Sequence, residues 1–176
     1  MRMNTTDTFR PILVFELKEK YVLFIKYLFG MDEHGNVVIN LDHPVGKLIN
    51  SMWIISDRPV NIQHKNPVSV SLPVTATSHY KVRYSNIHIP KWKQEQLQQA
   101  IAFYYEITMR EFFVIGYEKN YGRDKIIDAV LRELNQDKYF FTFDMIAKFD
   151  YRNRVKICEN MRFEINRNRK QLKVRE

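Results

Sequence analysis

Histidines and a Glu-x-Lys pair are the residues of this chain whose chemistry could support catalysis. The histidines lie at positions His34, His43, His64, His79 and His88. None has the i, i+4 spacing of a helical zinc motif, and most fall in predicted turns or loops. The Asp42-His43 pair directly precedes a proline, where it fits a helix cap better than a catalytic dyad. The histidines therefore predict no metal site and no acid–base site.

Glu16-Leu17-Lys18 follows a short apolar segment, and Asp7 lies upstream of it. Metal-dependent nucleases use an Asp and a Glu-x-Lys in this order, with the carboxylates on Mg²⁺ and the lysine near the attacking water. Glu-x-Lys is common by chance, and Asp7 belongs to a polar lead-in. A nuclease is therefore kept only as the alternative to a protein without enzymatic activity.

Other signatures of catalysis or cofactor binding do not occur in the sequence. Pro44-Val45-Gly46-Lys47 lacks the first glycine and the spacing of a phosphate-binding loop. Cys158 is the only cysteine, so it permits neither an intramolecular disulfide nor a thiolate metal site. A helix predicted from about residue 152 places Val155, Cys158, Met161 and Ile165 along one apolar side, so Cys158 is predicted to be buried. We expect no enzymatic activity, no cofactor and no metal.

The densest positive charge lies at the C-terminal end. Residues 150–176 contain nine basic and four acidic residues, which is a net charge of +5 out of +8 for the whole chain. A basic terminus on a near-neutral body is typical of proteins that bind a polyanion, although solvated tails without a partner share it. The candidate nucleic-acid-binding residues are Arg152, Arg154, Lys156, Arg162, Arg167, Arg169, Lys170 and Lys173.

Three predicted helices, near residues 124–135, 143–149 and 152–169, have the order and lengths of a helix-turn-helix unit. The last helix of such a unit enters the major groove. Asp150-Tyr151-Arg152 stands where a small turn residue is expected, and Asp150 occupies a position that is often apolar. The sequence favours a non-enzymatic, regulatory DNA-binding protein, with the choice between DNA and RNA left open. In that hypothesis Arg152, Arg154 and Lys156 begin the recognition helix and the later bases contact phosphates.

Aromatic residues offer the alternative function. Tyr139-Phe140-Phe141 with Phe143 is more aromatic surface than one short element easily buries, and Phe112-Phe113 adds to it. This excess predicts a homodimer or a partner surface. A protein–protein adaptor or structural protein that never touches nucleic acid would use the same surface.

Two segments were considered as membrane signals, and neither fits well. The first ten residues lack the apolar region of a signal peptide. The apolar run Tyr21–Phe29 contains Lys26 and is far shorter than the roughly 20 residues of a spanning helix. Together with the single cysteine, these features predict a cytoplasmic protein with no membrane partner.

Residues 1–90 show mainly the period-two pattern of strands. Strands are predicted at 11–15, 37–39, 68–72, 80–84 and 87–89, and a helix capped near Asp42-His43-Pro44 is predicted to end before Asp57. The segment Tyr21–Phe29 fits a helix or a hairpin strand, and both remain open. Tyr80-Lys81-Val82-Arg83-Tyr84 alternates aromatics with bases as single-strand binders do, but an ordinary strand with buried tyrosines explains it better.

Residues 91–176 show helical spacing instead. One stripe runs from Leu97 to Tyr104, and Thr108-Met109-Arg110-Glu111 matches a capping box that would begin a new helix. Gly122 is a predicted helix stop, and Thr142 is a predicted cap. The sequence thus predicts an α+β protein: a small, mostly antiparallel sheet in residues 1–90 and a helical portion in 91–176 with a basic tail, two parts that could form one continuous domain.

Overall fold

The computed structural model describes residues 10–60, 64–73, 86–135 and 139–173, and for residues 162–173 it describes the backbone only. The chain divides into two compact units, Met1–Ala102 and Phe103–Glu176. This division falls inside a helix, 91–118, whereas the sequence suggested a boundary near residue 90. The secondary structure confirms the α+β class.

The described strands all lie in the first unit. They are β1 (Ile12–Glu16), β2 (Val37–Val38), β3 (Ile54–Ser56), β4 (Pro67–Ser71) and β5 (Asn86–His88). One sheet has the order β1-β4-β2, in which β1 is antiparallel and β2 parallel to β4. The other pairs β3 with β5 antiparallel, Ile54 opposite His88. Two of the three pairings are thus antiparallel, as predicted, and the parallel β2–β4 pair makes the larger sheet mixed.

Alternating burial explains why β1 and β4 form strands. Leu13 and Phe15 are buried, while Ile12 and Val14 point to the exposed face of the same strand. On β4 the buried positions include Val68 and Val70. Because successive side chains of a strand point to opposite faces, this pattern commits one face of the sheet to the core.

The segment that the sequence left undecided is helix α1 (Glu19–Phe29). Phe24 and Ile25 are fully buried next to each other, and Tyr21 and Leu23 are also buried, so one broad side of the helix joins the core. A strand would have sent neighbouring residues to opposite faces.

Helix α2 (Pro44–Met52) has the predicted cap, with His43 Nδ1 accepting a hydrogen bond from the backbone nitrogen of Val45 at 3.2 Å. The helix ends earlier than predicted, because Ile54–Ser56 leaves it to pair with β5. Gly46 is buried, and a Cβ at this position would overlap the backbone carbonyl of Asn40. This close approach accounts for the glycine at this position.

Two further helices are α3 (Lys91–Glu118) and α4 (Arg123–Leu134). Helix α3 is continuous, so the predicted capping box at Thr108–Glu111 is wrong. The physical reason is an unbroken buried stripe at four-residue intervals, formed by Leu97, Ile101, Tyr105, Met109 and Phe113. Nothing in that stretch breaks a helix, since it holds neither glycine nor proline.

Gly122 was predicted to stop a helix, but the structure places it at the N-cap of α4. The preceding helix ends four residues earlier, and Asn120 takes the left-handed conformation with φ of 57°. Asparagine tolerates this conformation better than most residues, so the turn needs no glycine at that point. Among the described helices, none is both long and apolar enough to cross a membrane.

Candidate nucleic-acid interface

The predicted recognition helix is part of a single long helix, α5 (Phe143–Lys173). The predicted turn at Asp150-Tyr151-Arg152 is therefore wrong, and residues 143–149 and 152–169 are not separate helices. Ile146, Asp150 and Ile157 are all buried at helical spacing, so one face continues through the expected break. The segment also lacks a glycine or proline that would end a helix.

The start of α5 is fixed by two polar side chains. Thr142 Oγ1 accepts a hydrogen bond from the backbone nitrogen of Met145 at 3.3 Å, which confirms the predicted cap. Asn135 Oδ1 accepts from the backbone nitrogens of Phe140 and Phe141 at 3.1 and 2.9 Å. Asn135 Nδ2 donates to the carbonyl of Phe141 at 2.9 Å. The connection into α5 is thus held from the end of α4.

Asp150 lies at the centre of a polar cluster within the second unit, and its side chain is fully buried. Its Oδ1 accepts a hydrogen bond from the Tyr117 hydroxyl at 3.2 Å. Its Oδ2 accepts from Arg123 Nε at 3.1 Å and from Arg154 Nη2 at 2.7 Å. A buried carboxylate needs such partners to offset its lost hydration. The cluster therefore joins α3, α4 and α5 at one point.

The two arginines are held in other ways as well. Arg123 Nη2 donates to the carbonyl of Ala147 at 3.0 Å, and the Arg154 guanidinium lies 4.9 Å from the centre of the Tyr117 ring. Burial raises the pKa of Tyr117 above its ordinary value of 10.0, and the negative charge of Asp150 raises it further. Tyr117 is thus a neutral hydrogen-bond donor over the whole range near neutral pH.

Arg152 and Lys156 are exposed and lie outside the buried stripe of α5. Lys148 shares their side, because the three positions are four residues apart and four residues of a helix advance about 6 Å. No carboxylate of a described residue forms an ion pair with any of the three. Here these three residues are called the basic stripe. Their side chains face solvent, and Asp144 and Glu159 are the acidic residues nearest to them along the helix.

The remaining predicted bases divide into two groups. Arg154 is exposed in part, but its guanidinium is committed to Asp150. The others lie where the backbone is helical and their side chains fall outside the described part: Arg162, Arg167, Arg169, Lys170 and Lys173. Asp7 and the Tyr80–Tyr84 segment are outside the described residues altogether.

Searches of protein-family models, curated proteins and solved structures return no match to this chain. The candidate interface therefore rests on the geometry of the chain itself.

Two expectations about the apolar side of α5 are wrong. Cys158 is exposed, and Val155 has 71% of its surface accessible, although helical spacing had assigned both to a buried face. The buried residue in that turn is Ile157. The stripe predicted from Val155 was drawn from a helix starting near residue 152. The helix that actually starts at Phe143 is oriented by Ile146 and Asp150.

Sequence reasoning missed Lys148, Arg123 and Tyr117. For Lys148 a signal existed, since a continuous helix would have put positions 148, 152 and 156 on one face. For the partners of Asp150 no local signal existed, because Tyr117 and Arg123 lie 33 and 27 residues away in the chain.

The residues of the nuclease alternative do not converge on a described metal site. Glu16 lies at the end of β1, where its Oε2 accepts a hydrogen bond from the backbone nitrogen of Lys65 at 3.3 Å, and Lys18 is exposed. Within the described residues no three His, Cys, Asp or Glu side chains are placed to share a metal ion.

Proposed function

We propose that this protein is a non-enzymatic nucleic-acid-binding protein of the cytoplasm, with duplex DNA as the first candidate ligand, and that α5 is the binding element. The observation that supports the proposal best is the basic stripe, Lys148, Arg152 and Lys156. These exposed cations continue into a helical segment that is also rich in bases. Such a row is suited to successive backbone phosphates, whose contacts dominate the affinity of DNA-binding proteins.

The buried cluster favours a rigid binding helix. Asp150 fixes α5 to Tyr117 and Arg123, so the basic stripe has a defined orientation within the second unit. A binding helix whose backbone is already ordered loses less conformational entropy on binding. Arg154 contributes to this support and not to the nucleic acid, because its guanidinium is held by Asp150. Readout of base edges in a major groove would then belong to Arg152 and Lys156.

A salt series on a random DNA duplex, followed by fluorescence anisotropy, tests the proposal. Each phosphate contact contributes about −0.9 to the slope of log affinity against log salt, so about four or five contacts give a slope of roughly −3 to −5. Replacing Arg152 and Lys156 together by Ala should make the slope less steep by about 1.8.

The matched control replaces two exposed lysines of the first unit, Lys47 and Lys65, which lie outside the basic stripe. It should leave the slope unchanged. Absence of binding at low salt, or equal losses in the two double variants, would contradict the proposal. If the Arg152/Lys156 double variant loses affinity equally for all DNA sequences, these residues contact phosphates. If its preference among DNA sequences changes, they contact bases.

Self-association or an adaptor role without nucleic acid is the second candidate. Tyr139 and Tyr151 have 79% and 81% of their surfaces exposed, which is unusual for such large side chains. Phe141, by contrast, is buried and stacks on Tyr105 at 6.3 Å, so part of the predicted aromatic surface belongs to the core. We propose a homodimer through the exposed tyrosines. Light scattering that shows a monomer at high micromolar concentration would contradict it.

We also propose that the protein has no enzymatic activity. Incubating the protein with plasmid or single-stranded DNA and Mg²⁺ or Mn²⁺ should leave the DNA intact. Cleavage that disappears in Glu16→Ala would establish the nuclease instead.

A further inference from the structure

A groove of about 240 Å³ runs between the last part of α3 and helix α4, within the second unit. Its floor is apolar and includes Phe112, Ile115, Ile126 and Val130. Ligand sites for drug-sized molecules usually measure roughly 300–1,000 Å³, so this groove suits a smaller occupant. From Lys125 to Glu133, along α4, it is about 12 Å long at 1.5 Å per residue.

The two helices approach closely at the floor of the groove. A Cβ on Gly116 would lie 2.5 Å from Cγ1 and 2.6 Å from Cδ1 of Ile126. Gly116 therefore lets Ile126 pack against the backbone of α3, where a larger residue would push the helices apart. On the α4 side the floor is consequently formed by the buried Ile126 and Val130, which are not easily displaced by an incoming ligand, while Ile115 on α3 is exposed and accessible to it.

The charges of the groove are unevenly distributed. Lys119 and Lys125 both line the end near Tyr121, and Lys125 Nζ lies 4.3 Å from the centre of the Tyr121 ring. No ion pair connects either lysine to a carboxylate in the described residues. At the other end a base and an acid, Arg132 and Glu133, stand next to each other. One end is thus positive, while the middle is apolar.

We propose that this groove binds a small amphipathic carboxylate with a short, unbranched apolar tail. The carboxylate lies between Lys119 and Lys125, and the tail covers Ile115, Ile126 and Val130. Charge complementarity selects the anionic head, the apolar floor selects the tail, and the volume limits its length. The site is separate from the basic stripe on α5, so its test does not depend on nucleic-acid binding.

Isothermal titration of the full chain with sodium octanoate, below the concentration at which octanoate forms micelles, tests the proposal. Octan-1-ol and octyltrimethylammonium serve as neutral and cationic probes of the same tail length. We expect saturable binding of octanoate, weaker binding of the alcohol and the weakest of the cation. Lys119→Ala/Lys125→Ala should lower octanoate affinity about tenfold, since each exposed charge pair adds a modest amount. The affinity for octan-1-ol should not change.

Two further variants separate the groove from general surface effects. Ala129 lines the groove and is exposed, so Ala129→Phe should fill it and abolish binding of both octanoate and octan-1-ol. Lys47→Ala/Lys65→Ala removes two cations elsewhere and should bind octanoate like the wild type. If Ala129→Phe does not fold, as judged by circular dichroism, the double lysine variant still decides the question.

Three results would overturn the proposal. The first is the absence of saturable octanoate binding, and the second is equal binding of the anionic and cationic probes. The third is binding to phosphatidylglycerol vesicles without binding to free octanoate, since that would indicate a membrane surface and not a small carboxylate as the ligand.

Discussion

Asp150 joins three helices of the second unit through its two carboxylate oxygens. Its side chain is fully buried, and three donors bind it. Two of them, Tyr117 and Arg123, come from other helices, and the third, Arg154, lies one helical turn further along α5. The i, i+4 pair with Arg154 was visible in the sequence and favours helix through this position. The distant donors could not be inferred without the fold.

Arg152 and Arg154 provide a matched pair for testing this cluster. Arg154→Ala leaves the buried Asp150 carboxylate with one cation fewer, so it should lower the free energy of unfolding by about 1–3 kcal/mol. Arg152→Ala removes an exposed charge without a described partner and should change it by less than about 0.5 kcal/mol. Urea denaturation at pH 7 measures both. Equal effects would show that Asp150 does not depend on Arg154.

Tyr117 makes the stability of the cluster depend on pH. The raised pKa in the folded state means that the contribution of the neutral hydroxyl is complete below about pH 10 and is lost as pH rises through the folded pKa. Tyr117→Phe should lower the free energy of unfolding by about 1 kcal/mol near pH 7. The difference in this free energy between the variant and the wild type, here called the gap, should narrow above about pH 10. Denaturation midpoints from pH 7 to 11 measure this gap. Tyr151→Phe, altered at an exposed position, is the control, and a gap constant with pH would refute the assignment.

At the scale of elements, periodicity predicted most of the described strands and helix α4, because their apolar patterns are local. The prediction failed where two features of the sequence favoured different structures. Thr108–Glu111 has the composition of a capping box, but the buried stripe through Tyr105, Met109 and Phe113 holds one continuous helix. For α1 the aromatic and β-branched residues left both possibilities open, and burial of adjacent residues decided for a helix. β3 was missed because its pairing with β5 is a long-range contact.

Gly46 gives an element-scale prediction. An added Cβ would overlap a backbone carbonyl, that of Asn40, which cannot rotate away as a side chain could. Gly46→Ala should therefore destabilise the protein by about 1–3 kcal/mol, near the upper end of that range, although alanine favours helix. Lys47→Ala, at the exposed neighbouring position, should change stability by less than about 0.5 kcal/mol. Thermal unfolding followed by circular dichroism compares the two, and a stabilised Gly46→Ala would refute the packing argument.

At the scale of the whole molecule, charge is the property that the sequence predicted without the fold. The two units carry the same net charge, +4 each. In the second unit, however, residues 103–149 sum to −1 and the excess lies after residue 149. The sequence could not show which side of α5 faces solvent, and therefore which bases are exposed together, because this depends on which of its residues are buried. Ile146, Asp150 and Ile157 set this orientation, and the basic stripe follows from it.

Because α5 is one unbroken helix, the position of each residue around the helix axis, its azimuth, is fixed relative to the residues before it. Each added residue turns everything beyond it by about 100° around the axis, whereas seven residues complete nearly two turns. By this rotation the backbone position of Lys170 falls on the azimuth of Arg152, while those of Arg162, Arg167, Arg169 and Lys173 fall about 60–100° to either side of it. One alanine inserted between Glu159 and Asn160 should therefore move Lys170 and Arg167 away from the basic stripe and bring Arg162, Arg169 and Lys173 towards it. Because some bases leave the stripe as others join it, the affinity for DNA should change little. Anisotropy titrations of the insertion variant and the wild type compare the two affinities, and a large loss would mean that Lys170 or Arg167 makes most of the contacts. The azimuth fixed by the burial of Asp150 thus extends along α5 as far as Lys173, about 35 Å away.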